Sequence, residues 1–261
     1  MLEIKESVAV ITGGSGGIGM ALARYWISLG GKVVLADVIE EALDKAKADL
    51  KGDSVTVVCD VTKEEDCTRL AQTAIDRFGK INLIAPFAGI IQDGLMVSTD
   101  KETGKVNRKM SLEAFQKVVE INLIGVFLTV RECTEQMINH NCRGLICLIS
   151  STGSLGTAGQ INYSSTKAAM SVMPKVLTAE FFRRGLADRI RCNAIAPGYV
   201  GTDMVRKMNP KALEKILGDV PIGRLIEPEE VASLVGEVFR NEAVAGETFF
   251  IHGGLRLGSK G

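Results

Sequence analysis

Short apolar runs alternate along this chain with segments of helical period. Val8–Thr12, Lys32–Asp37, Val55–Asp60, Asn82–Phe87, Gly144–Ile149, Ile190–Ile195 and Thr248–Ile251 read as seven buried strands. Between the third and fourth runs, Cys67, Leu70, Ala71, Ala74, Ile75 and Phe78 keep the i, i+3, i+4 spacing of one helix face. Thr62 with Glu65 predicts a capping box for that helix. Ser111 suits the N-cap of a later helix, and Pro228 the first position of the last one. Strands that are apolar throughout have no solvent face. Alternating with helices, they predict an α/β fold: a doubly wound parallel seven-stranded sheet with helices on both faces. No repeat, low-complexity stretch or linker divides residues 1–261, so a single domain is expected.

Composition narrows the function. Lys plus Arg and Asp plus Glu each number 31, which leaves no net field to attract nucleic acid or an anionic membrane. No run of eighteen apolar residues occurs, and Met1–Glu6 does not read as a signal peptide. The six cysteines are scattered without a Cys-x-x-Cys pair, as expected of small buried hydrophobes in a reduced, cytoplasmic protein. His140 and His252 are the only histidines and lack metal-site spacing, so no metal is expected. Acid–base work falls to tyrosine, lysine or a carboxylate.

The loop Thr12-Gly13-Gly14-Ser15-Gly16-Gly17-Ile18-Gly19 follows the first strand and opens the first helix. Its glycines allow a sharp turn and let a pyrophosphate approach backbone N–H groups at the helix N-terminus, a Rossmann-type arrangement. Two registers fit, Gly14-x-Gly16-x-x-Gly19 and Gly13-x-x-x-Gly17-x-Gly19. Asp37, ending the second strand, stands where a carboxylate accepts hydrogen bonds from the adenosine ribose hydroxyls. The loop carries no Arg or Lys and Val38 follows Asp37, so nothing local offsets repulsion of a 2′-phosphate. NAD is therefore the expected cofactor. The structural alternative for Asp37 is a strand-end aspartate capping a turn.

Tyr163 and Lys167 lie one helical turn apart and share a helix face. An ammonium held near a phenol favours phenolate and brings its pKa toward the working range. Alone, the pair reads as an ordinary surface Tyr and Lys. The glycine loop, and a serine thirteen positions before the tyrosine, change that reading.

Taken together, these motifs resemble the short-chain dehydrogenase/reductase family over nearly the whole chain. The likeness adds Asp60-Val61 for the adenine pocket, Asn122 in Glu120-Ile121-Asn122-Leu123, and Ala88-Gly89 beneath the cofactor. It adds Ala196-Pro197-Gly198 leading through Val200 to Thr202-Asp203-Met204, and the closing Gly246-Glu247-Thr248 and Gly253-Gly254. It implies that Tyr163 is the acid–base residue, that Lys167 tunes it and holds the nicotinamide ribose, and that Asn122 supports a proton-carrying water. Ser150 is taken as the substrate-binding serine over its neighbour Ser151, on spacing to Tyr163 and Gly153. The implied cofactor-binding set is Gly13, Ser15, Gly16, Gly17, Ile18, Gly19, Asp37, Val38, Asp60, Val61, Ala88, Gly89, Tyr163, Lys167, Pro197, Gly198, Val200 and Thr202.

The implied reaction is NAD(H)-dependent interconversion of a secondary alcohol and a ketone, with 3-oxoacyl or 3-hydroxyacyl thioesters as the implied small-molecule substrates. A sugar, polyol or other secondary-alcohol dehydrogenase is the enzymatic alternative. A nucleotide-sensing or scaffold protein is the non-catalytic one. A homo-oligomer, with a tetramer first, is implied through the helices of Asn122 and Tyr163.

Two departures stand out. Pro86-Phe87 replaces the family's Asn-Asn, removing sheet-bracing amides and one strand N–H. Residues 90–110 form a longer polar insertion, expected as a solvated excursion or hairpin that either borders the substrate pocket or decorates the surface. Residues 197–224 are read as the substrate loop and helix. Pro174, inside the Tyr163 helix, is expected to break one backbone hydrogen bond and bend it.

Overall fold

The structure is a computed structural model and describes residues 1–255. In chain order it runs β1 (Val8–Thr12), α1 (Gly17–Ser28), β2 (Lys32–Asp37), α2 (Glu40–Asp49), β3 (Ser54–Val58), α3 (Glu64–Phe78) and β4 (Leu83–Pro86). Next come β5 (Val97–Thr99), β6 (Val106–Lys109), α4 (Leu112–Val119), a π-helical turn (Glu120–Ile124) and α5 (Gly125–Asn139). The chain continues through β7 (Gly144–Ile149), a 3-10 turn (Thr152–Leu155), α6 (Ile161–Arg183), β8 (Ile190–Pro197), α7 (Asp203–Arg206), α8 (Pro210–Gly218), α9 (Pro228–Arg240) and β9 (Thr248–Ile251).

Seven strands form one parallel sheet in the order β3-β2-β1-β4-β7-β8-β9. Alternate residues of each strand feed two cores. Ala9, Ile11, Val33, Leu35, Leu145 and Cys147 face one core, where Trp26 of α1 meets Phe239 of α9 edge-on at 4.8 Å. Val8, Val10, Val34, Ala36, Ile146 and Leu148 face the other, which includes Leu70 of α3, Cys133 of α5 and Met170 of α6. The expected two-faced sheet is therefore present. All six cysteines are buried free thiols. The strand order reverses between β1 and β4, which opens a crevice at the sheet's carboxyl edge, where doubly wound sheets bind ligands.

Local chemistry corrects several boundaries. Thr62 does not cap α3: the helix starts at Glu64 behind Lys63, and the Thr62 hydroxyl instead donates to Asp60 Oδ1 at 2.7 Å. The turn at Asp60 captures that hydroxyl before the helix begins, and β3 stops at Val58. Ser111 does cap α4, accepting from Ala114 N at 3.1 Å. Glu227 and Glu230 form the capping box of α9 around Pro228 at its first position.

Pro86 pairs in register with Thr12, but pairing of β4 with β7 extends only over Leu83 and Ile84. The Thr12 hydroxyl takes over part of the missing bracing by accepting from Ala88 N at 3.2 Å. Within the insertion, β5 and β6 pair as an antiparallel hairpin. The Tyr163 helix continues through Pro174 as one element of 23 residues. No helix among the described residues is long and apolar enough to cross a membrane.

Candidate active site

Most of the expected residues converge at the crevice. The turn after β1 requires glycine on steric grounds. Gly13 has φ +62°, and a Cβ there would lie 2.9 Å from Ala88 N; on Gly19 it would lie 2.4 Å from Gly13 O. This close packing ties the loop to Ala88 and seats α1 on the turn. A Cβ on Gly17 would meet Thr202 Cγ2 at 2.9 Å, so the segment after β8 closes over the N-terminus of α1. Asp37 reaches the same loop: its Oδ2 accepts from Ser15 Oγ at 2.5 Å, and its Oδ1 from Val38 N at 2.8 Å.

Gly89 joins this cradle to Asn122 and Lys167. A Cβ there would lie 3.2 Å from Asn122 Oδ1 and 3.8 Å from Lys167 Nζ. The π-helical turn carries Asn122 into full burial. There its Oδ1 accepts from Ile90 N at 2.8 Å and its Nδ2 donates to Ile90 O at 2.9 Å. Both ends of the amide are thus engaged by backbone, and Asn122 clamps the strand exit after Gly89.

Lys167 Nζ donates to Ile149 O at 2.9 Å and lies 5.6 Å from the centroid of the Tyr163 ring. Burial pulls its pKa down to about 8. The phenol does not show the depressed pKa the lysine was expected to produce. Burial pushes Tyr163 upward, the Ser151 side chain pulls it down, and the Asp93 charge raises it further. In the free protein, desolvation of the phenolate outweighs the hydrogen bond from Ser151.

The structure places the two neighbouring serines differently. Ser150 continues the two-residue alternation of β7, which places its side chain with Ile146 and Leu148 on the face covered by α6. Its hydroxyl is buried there, 2.7 Å from Lys167 O and 2.8 Å from Ser171 Oγ. It packs sheet against helix and does not face the crevice. Ser151 does: a Cβ on Gly153 would lie 3.3 Å from Tyr163 Cε1 and 3.4 Å from both Ser151 Oγ and Gln160 Oε1. Ser151 Oγ accepts from Gly153 N at 3.0 Å, which leaves its own O–H free to donate.

Asn162, next to the tyrosine, accepts from Tyr163 N at 2.8 Å and donates to Gln92 O at 3.0 Å. Motif spacing had not singled out Ser151, Gln160, Asn162 or Asp93. Only strand alternation, counted from Gly144, carried a signal for Ser151. An apolar groove of about 400 Å³ between α5 and α6, lined by Phe127, Ile138, Met173 and Leu177, contains none of these residues.

The geometry meets a sequence-family match at this point. The family model described as short chain dehydrogenase matches residues 7–213, and the chain belongs to that family. A 3-oxoacyl-[acyl-carrier-protein] reductase of Rickettsia typhi is 33% identical over 98% of this chain and 100% of its own length. One from Synechocystis is 32% identical over 98% and 99%. A Brucella melitensis crystal structure, titled as a short-chain dehydrogenase/reductase and glucose/ribitol dehydrogenase, superposes with a TM-score of 0.85. It is 28% identical and the match covers 98% of each chain. The chain is thus an oxidoreductase of this family, with the fold its sequence implied.

Proposed function

We propose that the protein is an NAD(H)-dependent oxidoreductase that interconverts a secondary alcohol and a ketone, with 3-oxoacyl thioesters as its substrates. The observation that carries this reading is the meeting of Ser151, Tyr163 and Lys167 beside a glycine cradle at the sheet's carboxyl edge. The cradle fits a dinucleotide: backbone N–H groups and the N-terminus of α1 face a pyrophosphate, and Asp37 stands at the ribose position. A bound nicotinamide supplies or accepts the hydride. Tyr163 gives its phenolic proton to the carbonyl oxygen during reduction and takes it back during oxidation. Ser151 donates a hydrogen bond to the same oxygen. Lys167, fixed by Ile149 O, holds a positive charge on the phenol side of the pocket.

Replacing Ser151 by alanine is expected to lower kcat/KM for a ketone by roughly 10²-fold, as when a donor to a developing oxyanion is lost. Ser150→Ala is expected to cost about 1 kcal/mol of stability through its lost hydrogen bonds, with a much smaller effect on turnover per folded molecule. Steady-state kinetics beside thermal unfolding separates the two; the opposite ranking returns the role to Ser150.

Asp37 supports NAD as the cofactor, because its carboxylate at the ribose site repels a 2′-phosphate and Val38, 61% exposed, adds no cation. The wild type is expected to prefer NADH, and Asp37→Ala with Val38→Arg to shift preference toward NADPH. Comparison of kcat/KM for the two cofactors decides this; a tenfold wild-type preference for NADPH, about 1.4 kcal/mol, contradicts it. The curated relatives' names favour an acyl thioester, whereas the Brucella structure's title favours a polyol. Assaying 3-oxoacyl thioesters against polyols, each with both cofactors, distinguishes these readings.

A further inference from the structure

The segment leaving β4 passes directly in front of Tyr163 and is stapled to the loop that precedes it. Gly94 N donates to Gly159 O at 2.8 Å, and Asn162 Nδ2 donates to Gln92 O at 3.0 Å. Between those two bonds, the Gln160 amide donates to both carboxylate oxygens of Asp93, at 3.1 Å each. The other end of that amide, Oε1, lies beside the point where Gly153, Ser151 and the Tyr163 ring edge meet. One glutamine side chain therefore links the Gly153 turn, on which the Tyr163 ring edge also packs, to a carboxylate. Asp93 makes no ion pair among the described residues, and its backbone is fixed on both sides. It remains open to solvent.

We propose that Asp93 determines the charge of substrate the pocket accepts, disfavouring ketones with a free carboxylate near the carbonyl and admitting neutral ones such as thioesters. The inference rests on the alcohol–ketone reading above and deepens it. A like charge held a few ångströms away at the edge of a protein costs an anionic substrate binding energy that its neutral ester does not lose. The rise that the Asp93 charge causes in the Tyr163 pKa agrees with a carboxylate whose field reaches the phenol. The clamp explains why the charge is effective there: a mobile surface carboxylate turns away from an incoming anion, whereas one held through both oxygens does not.

The test compares acetoacetate with methyl acetoacetate, two probes that differ mainly in charge. The wild type is expected to reduce the ester with at least tenfold higher kcat/KM than the acid. In Asp93→Asn, the acid-to-ester ratio of kcat/KM is expected to rise on the order of tenfold, as for removal of one like charge near a protein surface. A second measurement needs no variant. Raising ionic strength with wild-type protein is expected to narrow the gap, because the repulsion is exposed to screening. Equal efficiency on acid and ester in the wild type, or a ratio unmoved by both the substitution and salt, overturns the proposal and leaves the ketone-reductase reading standing. Failure to reduce either probe or any 3-oxoacyl thioester sinks that reading first, and the role of Asp93 with it.

Discussion

Tyr163→Phe lowers turnover by roughly 10²-fold or more while leaving NADH binding nearly unchanged, if the phenol is the proton donor. The ring is largely buried against the turn at Gly153, and phenylalanine preserves that packing. What disappears is the one ionisable group beside both Ser151 and Lys167. Pre-steady-state kinetics is the appropriate measurement, because it isolates the chemical step from product release. A variant that keeps near-normal chemistry removes Tyr163 from the mechanism.

Lys167→Met separates catalysis from stability, and the two are expected to move in opposite directions. Burial lowers the lysine pKa from 10.5 to about 8. The unfolded chain therefore binds more protons than the folded one between about pH 8 and 10.5, and native stability rises with pH through that window. Below about pH 8 both states are protonated and the full cost of the buried charge is present. The fall from 10.5 to about 8 corresponds to about 3 kcal/mol, offset by about 1 kcal/mol for the lost bond to Ile149 O.

The cofactor-free methionine variant is thus expected to be more stable by about 2 kcal/mol at pH 7, with the advantage fading as pH approaches 10.5. Its activity is expected to fall by roughly 10²-fold or more, and the pH inflection of alcohol oxidation to move upward. Denaturant unfolding at the two pH values checks the first part. A variant less stable at pH 7 shows that the ammonium is not held against its solvation.

The sheet was legible because its strands are buried on both faces, and four of the seven runs match their strands end to end: Val8–Thr12, Lys32–Asp37, Gly144–Ile149 and Thr248–Ile251. Boundaries shifted where a side chain competed with the ladder, as at Asp60 and Thr62. The glycine turn was legible because steric demand leaves a compositional mark. Ser151 was not legible from motif spacing, because the distance to Tyr163 and Gly153 runs through an irregular 3-10 turn, and only alternation carried beyond the end of β7 separates it from Ser150. Asp93 and Gln160 lie 67 positions apart and meet only through the fold, so no local motif announces them.

In the proposed reaction a ketone is reduced by hydride from NADH, and Tyr163 supplies the proton. The most direct measurement incubates the protein with NADH carrying deuterium at both positions of its reactive nicotinamide carbon and a 3-oxoacyl thioester, then examines the product by mass spectrometry. Wild-type protein is expected to give a 3-hydroxyacyl thioester carrying one deuterium on the carbinol carbon, and Tyr163→Phe at most a trace in the same time. Unlabelled alcohol, no alcohol, or equal labelling by the two proteins rules this reaction out.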